Sequence, residues 1–221
     1  MKIPTTKNIK VEIFTVVKDG EYILPLYLEH YQNAFPGCVI NIYDNNSSDN
    51  SVKLCRNAGC VIRNFPKFSE DLKQTHYNKV WKSSKADWVV VCDIDELVQI
   101  STSDLLQLKS SINVIQFRGY NMLSTGKQKD PKLFDHGFPS QMYDKCLMFK
   151  PTITEIGYTL GSHFIAPKPK PTYSQFQFNL YHYNKSWFTL AEFIKRHSPA
   201  RKEDLITVYK IALKDKIKLH I

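Results

Sequence analysis

Four short apolar runs, at 11–17, 38–43, 60–63 and 88–92, dominate the first part of this chain and are rich in Val, Ile and aromatic residues. Runs of this length bounded by turn formers read as buried strands. Each interval between them holds a stretch with helical periodicity. The first, 22–35, carries Pro25 in its opening turn, where proline is tolerated, and is stopped by Pro36-Gly37. The second, capped by Asp49 or Ser48, runs to about Ala58 and ends at Gly59; the third spans 70–84. The order β-α-β-α-β-α-β over residues 1–97 predicts a parallel sheet with right-handed crossovers, and so an α/β protein with helices flanking a mostly parallel sheet.

The second half is less regular. We expect a helix at 103–108, strands at 113–118 and 146–149, a polar loop over 126–137, an extended Lys-Pro spacer at 168–171, and helices at 187–197 and 202–218. The whole is read as one catalytic domain, 1–221, with a nucleotide-binding half over 1–97 and an irregular half with C-terminal helices over 98–221.

In open parallel sheets, ligands bind beyond the carboxyl ends of the strands. Three polar clusters fall there: Lys18-Asp19, Asp44 to Asp49, and Asp93-Ile94-Asp95-Glu96. With 13 Asp in the chain, about one DxD triplet arises by chance, so the triplet alone says little. Its position says more. Three acids directly follow the most apolar strand of the chain, and such acids repel one another unless a cation is present. Hard divalent ions such as Mn²⁺ or Mg²⁺ take oxygen ligands and keep room for substrate phosphate. Asp44 and Asp49 suit turn formation and helix capping as well as ligand contact. Tyr77 suits a buried helix face, whereas Gln74 and Asn78, on the helix before the DxD strand, suit a reach toward a nucleotide.

Composition narrows the classes. The chain is 43% hydrophobic and 23% charged, which excludes disordered and low-complexity classes. No apolar run is long enough to span a membrane, and the polar start lacks the apolar core of a signal peptide. Five cysteines without a CxxC pair read as reduced thiols, so we expect a cytoplasmic protein and regard its glycosylation sequons as fortuitous. The net charge of +9 suits anionic partners, from nucleotides and phosphates to nucleic acid or an acidic membrane face contacted peripherally. Lysine is dispersed, however, and no stacking motif accompanies it, so nucleic acid is not the expected partner. The last residues carry no helix-stop signal, which suggests a domain cut from a longer multidomain chain.

Together, Val16-Val17-Lys18-Asp19-Gly20-Glu21, Tyr43-Asp44-Asn45-Asn46-Ser47-Ser48-Asp49 and Asp93-Ile94-Asp95-Glu96-Leu97 resemble the family-2-like glycosyltransferases of the GT-A fold, in particular the group with YDNNSTD and DIDEF signatures. Beyond residue 97 the resemblance rests on Lys145, Gly161-Ser162-His163 and Tyr181-His182-Tyr183. It implies a GT-A-type, Rossmann-like sheet and transfer of a sugar, hexosyl transfer being the class expected, from a nucleoside-diphosphate sugar, most simply UDP-linked, to a glycan or other hydroxyl acceptor. It also implies Mn²⁺ or Mg²⁺ as cofactor. Donor contacts would come from Val17, Lys18, Asp44, Gln74, Asn78, Asp93, Ile94, Asp95 and His163, with Asp93, Asp95 and His182 as metal ligands. The resemblance favours inversion, which needs a base for the acceptor hydroxyl, typically a carboxylate. Glu155, beside a glycine-marked turn, is the first candidate and Asp144 the second; Asp135 is the third acid of this half. His163 and His182 could each complete the metal or diphosphate site.

Other enzymes fit less well. A haloacid-dehalogenase phosphatase requires Thr or Val where Leu97 stands, and carries its DxD on the first strand. A sugar nucleotidyltransferase, the main alternative, should carry a Gly-rich, Arg-containing loop where Lys18-Asp19-Gly20-Glu21 stands. GxGxxG and GxxxxGK are both absent.

Overall fold

A computed structural model describes residues 8–65, 67–123, 130–134, 136–175 and 178–183 of the chain. The four expected strands are β1 (Val11–Val17), β2 (Val39–Asp44), β3 (Val61–Asn64) and β4 (Trp88–Val91), with helices α1 (Leu24–Ala34), α2 (Ser51–Asn57) and α3 (Glu70–Tyr77) between them. They form the parallel set β3-β2-β1-β4. β1 and β4 are central, and β4 is buried along its whole length because the sheet is covered on both faces. Alternation sorts the side chains of β1. Val11, Ile13 and Val17 enter one core with Leu24, Tyr27, Leu28 and Tyr31 of α1. Phe14 and Val16 enter the other with Tyr77, Trp81, Val89 and Val91. The α1 residues recur at helical spacing, which presents one apolar stripe to the sheet.

Two helix boundaries differ from expectation. α2 has Asn50 at its N-cap, and Asp49 acts one residue earlier, accepting from the Ser51 N–H at 2.9 Å. α3 starts where expected, capped by Ser69, whose hydroxyl accepts from the Leu72 N–H at 3.2 Å, but stops at Tyr77. There the Asn78 side chain turns away to pair with the Tyr158 backbone, and tight turns replace the helix.

The second half continues the same sheet and is more regular than its sequence suggests. β5 (Glu96–Gln99) follows the acidic turn, and α4 (Thr102–Gln107) carries a capping box from Ser101 and Asp104. β6 (Val114–Leu123), β7 (His136–Pro139), β8 (Lys145–Phe149) and β9 (Phe178–His182) complete the nine strands of the described residues, ordered β3-β2-β1-β4-β8-β6-β9-β5 with β7 on β6. β8 runs antiparallel to β4 and β6, while β9 runs parallel to β6 and antiparallel to β5. Within the expected loop at 126–137, the described residues hold a single 3₁₀ turn at Pro131–Leu133 and the start of β7. Lys168, at the head of the expected spacer, exchanges backbone hydrogen bonds with Glu155. The helices expected at 187–197 and 202–218 lie outside the described residues. Among the described residues no helix is long and apolar enough to cross a membrane.

Candidate functional site

The carboxyl ends of β1 and β2 meet in register, Val17 opposite Asp44. The loops that leave them are clamped together. The backbone N–H groups of Asp19, Gly20 and Glu21 donate to Ser47, Ser51 and Asp49 at 3.0, 2.8 and 2.9 Å. In return Ser48 and Asn50 donate to the carboxylates of Asp19 and Glu21 at 2.7 and 3.1 Å. The Lys18 ammonium donates to the Asn46 carbonyl. Asp19, Glu21 and Asp49 are therefore committed to holding two loops in place. Asp44 is less occupied: its carboxylate accepts from the Ser47 N–H at 3.3 Å, and it stands half-buried at the strand end.

The acidic turn after β4 is built differently. Glu96 is its keystone, with Oε2 accepting from the Asp93 N–H at 3.0 Å and Oε1 from Lys145 Nζ at 2.5 Å. Both members of this ion pair are buried, 2% and 3% exposed. Lys145 also donates to the Gly161 carbonyl at 3.0 Å, tying the turn to the 160–163 segment. Asp93 is held by Lys73 at 3.1 Å and by the Tyr77 hydroxyl at 2.9 Å. Burial alone would raise its pKa, but Lys73, Lys145 and Tyr77 together hold it below the usual carboxylate range.

Asp95 is less well compensated, with Lys145 acting on it only weakly. Burial, and then the negative charges of Asp93 and Glu96, push its carboxyl up to about 8. Burial, and then the charges of Asp95 and Asp93, raise the nearby Tyr22 phenol. β9 brings His182 opposite Glu96, with His182 Nε2 3.6 Å from Asp95 Oδ2. The other ring nitrogen, Nδ1, lies 2.8 Å from the carboxamide oxygen of Asn121 on β6. An amide oxygen only accepts, so Nδ1 carries the proton and Nε2 presents a lone pair to Asp95. Burial, with Lys145 adding to it, depresses the His182 pKa to about 3, so the ring is neutral. Two electron-pair donors thus face each other across 3.6 Å. A proton or a cation between them satisfies both. Among the described residues no three His, Cys, Asp or Glu side chains are grouped as a ready metal site. An Asp–His pair nevertheless fits Mn²⁺ or Mg²⁺, which are commonly held by one or two protein ligands with phosphate and water filling the shell.

Asp93, Asp95, Glu96, His163, His182, Tyr143, Lys73 and Lys145 line one cleft of about 420 Å³. Ile94 links this corner to the first, since its Cδ1 would lie 2.6 Å from a Cβ on Gly20; a side chain there would push the two apart. Gln74 and Asn78 do not line the cleft. Their amides donate to the Tyr158 carbonyl at 2.7 and 3.1 Å and anchor the following segment. Neither expected base is brought to the cleft. Glu155 is exposed and paired with Lys168 at 3.0 Å. Asp144 is turned onto the backbone, accepting from the Gly119 N–H at 2.8 Å. Asp135 lies outside the described residues. Lys73, Tyr143 and Asn121 are site residues that sequence reasoning missed. Only Lys73 gave a signal, as a lysine one turn before Tyr77 on the helix preceding the DxD strand. A larger cavity, about 560 Å³, opens at the amino end of β4 between Trp88, Leu105 and Lys150. It lies at the end of the strand opposite the acids, and the Lys150 ammonium is occupied by the Ser110 carbonyl and the Trp88 ring.

A parallel β3-β2-β1-β4 sheet, extended by antiparallel strands beyond an acidic turn, defines the GT-A glycosyltransferase fold. Staphylococcus aureus TarS has this fold in its crystal structure, which matches 90% of the chain at 10% identity with a TM-score of 0.51. The chain spans 42% of that TarS structure, less than half its length. A TarS 1–349 structure matches 91% of this chain and 70% of its own at 10% identity, with a TM-score of 0.49. No protein-family model and no curated protein matches the sequence.

Proposed function

We propose that the protein is a metal-dependent glycosyltransferase that moves a hexosyl group, with inversion, from a nucleoside-diphosphate sugar to an acceptor hydroxyl. UDP is the favoured nucleotide. The observation that carries this reading is the opposition of Asp95 and a proton-free His182 Nε2 at the carboxyl end of a GT-A sheet. Asp95 and His182 would hold Mn²⁺ or Mg²⁺. The ion, when bound, stabilises the charge that develops on the departing diphosphate.

The chain's own residues have separable tasks in this reading. Val17, Lys18 and Asp44 recognise the nucleoside at the ends of β1 and β2. Asp93, fixed by Lys73 and Tyr77, faces ribose or ordered water rather than competing for the cation. The Glu96–Lys145 pair keeps Asp95 and the 160–163 segment at a fixed separation. Residues 1–97 form the donor half of a single domain, and the strands after them carry the acceptor side.

The test is calorimetric titration of UDP in Mn²⁺ and in EDTA. UDP should bind tightly only with the metal, and Asp95→Asn should remove that metal dependence while the thermal transition persists. Equal UDP affinity in EDTA and Mn²⁺ refutes the reading.

A further inference from the structure

The cleft contains a second imidazole prepared in the same way as His182. His163 Nδ1 lies 2.8 Å from the Met142 backbone carbonyl, which can only accept. Nδ1 therefore carries the proton and Nε2 holds a lone pair. The ring is seated over Gly161, where a Cβ would come within 2.7 Å of His163 Nε2. Gly161 also has a φ of +68°, so both its conformation and its lack of side chain accommodate the imidazole. The ring of Tyr143 packs between the two histidines, stacked on His182 at 3.8 Å and edge-on to His163 at 6.2 Å.

The two imidazoles differ in what they face. His182 Nε2 is set against the Asp95 carboxylate. His163 lines the same cleft from the 160–163 segment. Among the described residues, the other carboxylates lining the cleft are engaged elsewhere: Asp93 by Lys73 and Tyr77, Glu96 by Lys145, and Glu70 by Lys73 at 3.4 Å.

We propose that His163 Nε2 is the general base of the transfer. Resting on the glycosyltransferase reading above, the step is a single displacement. The acceptor O–H proton passes to His163 Nε2 as the acceptor oxygen forms its bond to the sugar's anomeric carbon. The bond from that carbon to the diphosphate oxygen breaks, and its electron pair leaves with the nucleoside diphosphate. Imidazole, not a carboxylate, is then the proton acceptor, and Met142 and Gly161 position it.

The experiment uses water as the acceptor, because a base that deprotonates a hydroxyl also activates water. UDP release from UDP-glucose, UDP-galactose and UDP-N-acetylglucosamine is measured with Mn²⁺ for wild type, His163→Ala, His163→Gln and Glu70→Gln, alongside UDP affinity by calorimetry. Both His163 variants should lose about 10²-fold or more in kcat, with UDP affinity in Mn²⁺ within about twofold of wild type. Added imidazole should restore part of the His163→Ala rate. Wild-type rates in both variants overturn the proposal. So does a loss of Mn²⁺-dependent UDP binding on the scale of Asp95→Asn, which would make His163 a ligand, and so does a loss confined to Glu70→Gln. A wild-type protein that neither binds UDP with Mn²⁺ nor releases it from any of the three sugars instead removes the glycosyltransferase reading, and the base with it.

Discussion

Metal-free protein should become less stable as pH rises through neutrality, and Asp95 should be the cause. In the folded chain this carboxyl titrates at about 8, against an ordinary value of 3.8. Between those values the folded state binds a proton that the unfolded state has lost, so stability falls with pH and the loss is complete above about 8. His182 acts in the opposite sense lower down. Its pKa is depressed from 6.5 to about 3, so its contribution rises across that window and levels off above 6.5. Above 6.5 His182 no longer contributes to the pH dependence, and the difference between wild type and Asp95→Asn reads Asp95 alone. At about 1.4 kcal/mol per pH unit, the range from about 6.5 to 8 carries roughly 2 kcal/mol at most. The Asp95 side chain is 24% exposed, so solvent screening trims the figure. In a chain of 221 residues, 1–2 kcal/mol corresponds to a Tm drop of about 2–8 °C. The assay is thermal unfolding in EDTA at pH 6.5 and 8.5, comparing wild type with Asp95→Asn. The variant carries no charge at either pH and should lack this part of the drop. Saturating Mn²⁺ should abolish it in wild type as well, because the ion replaces the proton. An identical pH dependence in the two proteins refutes the electrostatic account of Asp95.

Lys145→Met leaves Glu96 buried without its partner and should cost about 3–5 kcal/mol in urea unfolding, whereas the double variant Glu96→Leu/Lys145→Met should recover most of that loss; equal costs for the single and double variants contradict this. Asn121→Leu frees the His182 tautomer and should weaken Mn²⁺ binding by about 10–100-fold, with Asn121→Asp, which keeps an acceptor for Nδ1, close to wild type; calorimetry with the metal alone decides. Asp44→Ala should weaken UDP and UDP-sugar by the same factor, since the nucleoside is common to both; a selective loss of the sugar nucleotide would move Asp44 away from the nucleoside.

The parallel half was legible because its information is local. Val11 to Val17 and Trp88 to Val91 are apolar runs bounded by turn formers, and the first two helices between them carry their own stop signals. β5 was hidden because Glu96-Leu97-Val98-Gln99 is short and polar at both ends, and becomes a strand only through β9. The acids of the first two loops show the same limit from the other side. Turn chemistry is readable from Asp19 and Asp49, but their pairing across the loops depends on the parallel register of β1 and β2. Glu155 and Asp144 stand out as base candidates from their immediate neighbours alone; Lys168 and the Gly119 N–H, which occupy them, come from distant segments. The tautomer of His182 depends on Asn121, set beside it only by the pairing of β6 with β9.

The position of β9 also ties the site to the order in which the chain is made. Both aspartates of the turn emerge early, within a half whose contacts are mostly between neighbouring elements. His182 is supplied by a strand from far downstream, the same strand that pairs with β5 and whose next residue, Tyr183, donates its N–H to the Asp95 carbonyl at 2.8 Å. A nascent chain stalled after β8 therefore owns the acidic turn but not the nitrogen that faces it, and a proteolytic fragment ending there is in the same condition. Closing so long a loop is entropically costly and comes late in folding. Capture of a divalent cation by Asp95 and His182 would then report that β9 has docked, so that ion loading doubles as a checkpoint on completed folding.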